Sequence, residues 1–259
     1  MKRLLPFVVL AISTFLASGN PPDDPTTRHR LFSLPAADKP KDPNPDPAAP
    51  PAGIPESELK DETPAYPKPM FIGTPVPTGN IKNLEKPDPE AARRRLTFKI
   101  PKDATNVAKW KKVTSSDSLP IIGTLDLVTD GDADGSDGSY VELPPGKQWV
   151  QIDLGKEYQL WKMLVWHFHK QTAIYFDVVV QISNDPNFEN GITTIFNNDI
   201  DNELGLGRGK DKCYIETNHG RLMDAMGAKG RYVRLWSKGN SANEMNHYIE
   251  VSVYGSPVK

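Results

Sequence analysis

Between residues 148 and 254, apolar side chains recur at every second position in four separate runs, and this pattern most narrows what the chain can fold into. Val150, Ile152 and Leu154 alternate with Gln151 and Asp153, and Phe176, Val178, Val180 and Ile182 with Tyr175, Asp177, Val179 and Gln181. Val233 and Leu235 alternate with Arg234 and Trp236, and Ile249, Val251 and Val253 with Glu250 and Ser252. Successive side chains of a strand point to opposite faces, so this period builds sheets with one face in a core. Gly, Asn, Asp and Pro turns separate the runs, as antiparallel connections require. About eight strands are expected, near 138–143, 148–154, 159–168, 174–183, 192–197, 212–217, 230–237 and 247–254. One helical turn is expected at Gly220 to Met226. The pattern predicts an all-β chain, an antiparallel jelly-roll-like β-sandwich.

The N-terminal third reads differently. Residues 20 to 90 hold 18 of the 25 prolines, whereas all five tryptophans lie between Trp110 and Trp236. Such a segment has too little apolar surface to offset its ordering entropy, so residues 20–95 are expected to be a disordered, partly polyproline-like linker. Arg93, Arg94 and Arg95 close it as a solvated junction. Residues 96–259 remain for one globular domain, enough for a core. Residues 1–19 read as a signal peptide, with Lys2 and Arg3 before the apolar run Leu4 to Leu16 and cleavage after Ala17-Ser18-Gly19. No cysteine follows that run, so lipoprotein processing is not expected, and the mature protein is expected to be secreted or periplasmic with no membrane span. The single cysteine, Cys213, has no partner for an internal disulfide. A net charge of −2 gives no reason to expect nucleic acid as a partner.

Asp130, Asp132, Asp134 and Asp137, with Gly131, Gly135 and Gly138 between them, make an acidic loop just before the strands. Like charges at this spacing repel, and a hard cation such as Ca²⁺ relieves them with six to eight oxygen ligands. The loop also matches the first six positions of an EF-hand-type loop, but the twelfth, a bidentate Glu there, is Val141. An open, solvated acidic turn is the third reading.

Several motifs then coincide in order. DGD in an early loop, QWVQIDLG, an apolar strand, VVVQISND, GRYVRLWS and a closing YIEVSVYG follow TNVAKWKKVTSSD, over roughly Thr105 to Ser256. Together they resemble the discoidin, or coagulation-factor C-type, domain, one of the galactose-binding-like β-sandwiches. The resemblance implies a non-catalytic module that binds glycans, lipid head groups or proteins through loops at one end. It also implies a structural Ca²⁺ site using Asp130, Asp132 and Glu250, completed by loop carbonyls and a hydroxyl such as Ser139. This chain departs from the family by inserting ADGSDG before Ser139-Tyr140.

His167 and His169 fall on the same face of a strand, a spacing that can place two imidazoles on one transition metal, with His247 or His219 as a third ligand. They can equally hydrogen-bond loop backbone at a strand end. The resemblance offers another role, since that strand end borders binding loops, which makes His167, His169, Lys170 and Tyr175 candidate ligand contacts. Asn202 to Lys212 carries Arg208, Lys210 and Lys212 among glycines and reads as a basic recognition loop, with Arg208 a further contact, or as an ordinary β-connection. The asparagines of Ser237 to His247 either read hydroxyls or make turns. No G-x-S-x-G elbow and no distinguishable pair of carboxyls supports catalysis. The expected function is an exported, non-catalytic module recognising an extracellular or cell-envelope polysaccharide. The alternatives are a surface adhesion domain that binds an envelope protein and, with less support, a metal-dependent hydrolase using His167 and His169.

Overall fold

The computed structural model describes residues 46–70, 78, 80–136 and 138–258, so the expected signal peptide, most of the early linker and Asp137 lie outside the described residues. The architecture is all-β, as the alternation requires. Eleven strands form: β1 (Leu59–Glu62), β2 (Phe98–Pro101), β3 (Thr105–Asn106), β4 (Lys112–Ser115), β5 (Val141–Leu143), β6 (Gln148–Trp166), β7 (Val179–Ser183), β8 (Thr193–Asn197), β9 (Arg221–Ser237), β10 (Asn246–Tyr248) and β11 (Glu250–Pro257). A seven-stranded sheet runs β3-β11-β6-β9-β7-β8, with β4 also on β6, and every pairing is antiparallel. The short β5/β10 pair closes the sandwich over it. Between the layers lies the main core, in which Val150, Ile152 and Leu154 of β6 and Val233 and Leu235 of β9 meet Val141, Leu143 and Tyr248.

Two expected strands, 148–154 and 159–168, are one 19-residue strand. It bends at Gly155 (φ +87°), and its register with β9 shifts between Asp153 and Tyr158. The helical turn expected at Gly220 to Met226 is the start of β9, where Leu222 packs with Leu164 on the outer face, Met223 packs in the main core, and pairing with β6 overrides local propensity. A strand at 212–217 does not form, and Cys213 instead makes a parallel bridge with Leu84.

The largest departure is in the linker. From residue 46 onward its described residues pack on the domain as a strap. β1 pairs with β2, Leu59 opposite Pro101 through Glu62 opposite Phe98. The strap covers the outer face of the large sheet, where Trp161, Leu164, Trp166, Leu222 and Tyr254 form a second apolar cluster with Phe98, Ile100, Ala48, Ile54 and Tyr66. Fully buried Lys162 holds it with Nζ donating to the Ala49 carbonyl at 2.8 Å and to Asp224 at 3.0 Å. Asn218 Nδ2 donates to the Pro67 carbonyl at 2.8 Å, and the Tyr66 ring meets His219 edge-on at 5.3 Å. Farther along, Glu85 accepts two bonds from Arg221 at 2.9 Å, and a short helix, α1 (Pro89–Arg94), is capped by Asp88. Average composition hides this, because a few apolar anchors suffice where prolines already restrict the unfolded chain.

Candidate functional site

The acidic loop leaves the 3₁₀ turn Leu125–Thr129 and lies against β11. The Gly131 N–H donates to Glu250 Oε2 at 3.0 Å. A Cβ on Gly135 would come within 2.5 Å of Ile249, so the left-handed glycine (φ +65°) allows the loop to approach the last strand. Asp130 accepts from the Asp132 N–H at 2.8 Å and Asp132 from the Asp134 N–H at 2.9 Å. Asp134 is neutralised by the buried Lys170 at 3.3 Å and bonded by Ser136. Burial pushes Glu250 up to about 8, and burial with the neighbouring Asp132 raises Asp130. Ser139 donates its N–H to Ser136 within a turn, and Asp132 serves its own turn.

The carboxylates that do converge lie elsewhere. Among the described residues, one group of three, Asp177, Asp199 and Asp201, places donor oxygens within 4.8 Å of one another, and it could bind a metal ion. Asp177 has a left-handed backbone (φ +52°), and burial with the two neighbouring carboxylates pushes it up to about 6. Asp199 accepts the N–H groups of Glu203 and Leu204, both at 2.9 Å.

The histidines expected at the surface are interior. His167 is fully buried, with Nδ1 donating to Glu216 at 2.7 Å and its ring stacked on Tyr175 at 4.3 Å. Tyr175, also buried, donates its hydroxyl to His247 Nδ1 at 2.7 Å, and His247 Nε2 donates to Glu142 at 2.9 Å. Burial lowers the His247 pKa, consistent with the neutral ring this pattern needs. His169 Nε2 donates to the Ala133 carbonyl at 2.9 Å, and Lys170 is spent on the acidic loop. These four candidate contacts, His167, His169, Lys170 and Tyr175, are therefore core and loop-anchoring groups that a ligand does not reach. Among the described residues, no group of three metal-ligating side chains includes His167 or His169.

Arg208 is exposed and makes no ion pair among the described residues. Its loop is nonetheless built: Asn202 Oδ1 accepts from the Gly207 N–H at 2.7 Å, and Gly209 lies so close to Asn197 that a Cβ would meet its carbonyl at 2.2 Å. In the Ser237 to His247 loop the asparagines make turns, with Asn240 bonded to Asn243 and Met245.

One surface arrangement was not foreseen. Tyr140, just after the acidic loop, and Phe168, just after β6, are partly exposed with ring centroids 4.7 Å apart. Both rings border His247, at 5.8 Å and 5.7 Å, so the Glu142–His247 pair forms their polar floor. Tyr140 follows the ADGSDG insertion, and Phe168 stands out of phase in Trp166-His167-Phe168-His169, between two inward histidines. That break in phase was the available signal.

No family model matches the chain, and no curated protein matches it. Solved structures do. A CBM32 module of AlyQ in complex with 4,5-unsaturated mannuronic acid is 16% identical, with a TM-score of 0.41 over 55% of this chain and 92% of that one. A Streptococcus pneumoniae fucose binding module, SpX-3, is 20% identical, with a TM-score of 0.39 over 58% and 97%. A family 89 glycoside hydrolase from Clostridium perfringens is 21% identical, with a TM-score of 0.43 over 59% of this chain and only 15% of the hydrolase. Each likeness is partial.

Proposed function

We propose that this chain is an exported, non-catalytic carbohydrate-binding module that holds sugar against Tyr140 and Phe168. The observation that carries this reading is the partly exposed ring pair set over the Glu142–His247 floor. Sugar C–H faces pack on aromatic rings, while hydroxyl groups need acceptors held in place. Glu142, 15% exposed at its side chain and held by His247, offers such an acceptor. The N-terminal basic and apolar segment motivates export.

A structural Ca²⁺ is the second part of the proposal. Asp130, Glu250 and loop carbonyls would hold it, with Asp132 and Ser139 less favourably disposed because both serve local turns. The test of the binding reading is a glycan array and a pull-down on insoluble polysaccharides with the wild type, Tyr140→Ala and Phe168→Ala. Binding by the wild type that both variants lose supports it. Failure of the wild type to bind any glycan overturns it.

A further inference from the structure

The most exposed tryptophan of the described residues stands at a place where the backbone is costly for it. Trp110 is 68% exposed and has φ +59°, in the left-handed region that glycine occupies freely and bulky residues rarely enter. The conformation is held by two bonds. Lys111 N–H donates to the Ala108 carbonyl at 3.0 Å, closing a turn, and Trp110 N–H donates to the Thr129 carbonyl at 2.7 Å. The Thr129 hydroxyl donates to the Lys111 carbonyl at 2.9 Å and fixes the turn's exit. The turn thus holds the Trp110 backbone in a strained conformation that leaves the indole largely in water. Strain of this kind, over-determined by its surroundings, marks a contact surface more than a structural need.

The charges around the ring name what it would contact. Lys109, Lys111 and Lys112 flank Trp110, and none of them forms an ion pair among the described residues. Lys109 leans over Gly131 toward the acidic loop, where its charge acts on Asp130 and Glu250. Lys111 extends toward Gly155 and acts on Asp153, which is already held by both ends of Arg231. Lys112 is exposed on edge strand β4. Lys111 and Lys112 thus follow the exposed indole directly in sequence, and neither ammonium group has an ion-pair partner among the described residues.

We propose that Trp110, with Lys111 and Lys112, is a second binding site, for an anionic polysaccharide. One sugar ring stacks on the indole, and the ammonium groups meet the carboxylate or sulfate of that residue or its neighbour. The site goes beyond the Tyr140/Phe168 reading and stands on separate residues, so each can fail alone.

The test is affinity electrophoresis of the full chain through gels containing a polyuronate, a sulfated polysaccharide or a neutral polysaccharide, at low and high salt. The wild type is expected to be retarded by at least one anionic polymer, with retardation that falls as salt rises. Trp110→Ala and Lys111→Gln/Lys112→Gln are each expected to weaken this by about tenfold, the worth of one stacking or charge contact. Retardation by one anionic polymer and not the other identifies the carboxylate or the sulfate as the group recognised. Trp110→Gly provides the control for folding. Glycine suits the left-handed backbone, so this variant is expected to melt no lower than the wild type while losing the anionic ligand. Tyr140→Ala is expected to leave the anionic retardation intact. Retardation by neither anionic polymer, or equal retardation of wild type and Trp110→Gly, overturns the proposal.

Discussion

Glu250 Oε2 receives the Gly131 N–H at 3.0 Å, so the last strand and the acidic loop are joined by a buried carboxyl. The consequence for stability depends on the proton. Burial raises Glu250 from 4.5 to about 8, so the folded state holds that proton more tightly than the unfolded chain. The stabilisation is complete below about pH 4.5 and is lost as pH rises to about 8, at about 1.4 kcal/mol per unit across that window.

A cation at this loop reverses the trend, because it binds the ionised carboxylate. Ca²⁺ is therefore expected to raise the melting temperature more at pH 8 than at pH 5, and Glu250→Gln is expected to abolish the difference. Thermal melts with Ca²⁺ and with chelator at both pH values measure it. If Asp199→Asn removes the rise and Glu250→Gln does not, the Asp177/Asp199/Asp201 group is the cation site instead.

The strap is expected to be part of the fold. A chain beginning at residue 96 keeps Phe98 and Ile100 but loses Ala48, Ile54 and Tyr66 from the apolar cluster around Trp161 and Trp166, at about 1.5–3 kcal/mol for each large side chain exposed. It should aggregate or melt far below a chain beginning at residue 43. Within the longer chain, Tyr66→Ala is expected to cost about 1–2 kcal/mol through its lost contacts with Trp166 and His219. Equal melting temperatures for the two chains would show that the strap contributes nothing.

His167 and Glu216 are expected to support the core and not the ligand. Glu216→Ala leaves a fully buried imidazole without its hydrogen-bond partner, a change that costs about 1–3 kcal/mol. Chemical denaturation measures this loss. Glycan affinity of the remaining folded protein should be unchanged, and a selective loss of affinity at full stability would return these residues to the binding surface.

The sheet could be read because alternation is local: β6, β7, β9 and β11 follow directly from which residues repeat at every second position. The strap could not, because Ala48, Ile54 and Tyr66 are sparse among prolines and their value depends on an aromatic face more than 90 residues away. The meeting of Gly131 with Glu250 was foreseeable from the motifs at the two ends of the domain. The burial of His167, His169, Lys170 and Tyr175 was not, since strand phase tells which residues share a face and not whether that face meets water. Phe168 and Tyr140 each lie at a junction of strand and loop, where a break in phase marks a position and does not tell which surface it joins.

Sugar held by Tyr140 and Phe168 is the interaction to measure. The most direct measurement is titration of the wild type and Tyr140→Ala with glycans selected on an array, monitored by calorimetry, with melting temperatures recorded in parallel. Saturable binding is expected for the wild type, with at least a tenfold loss in Tyr140→Ala, about 1.4 kcal/mol, and no matching fall in stability. Equal affinity for the two proteins would contradict it.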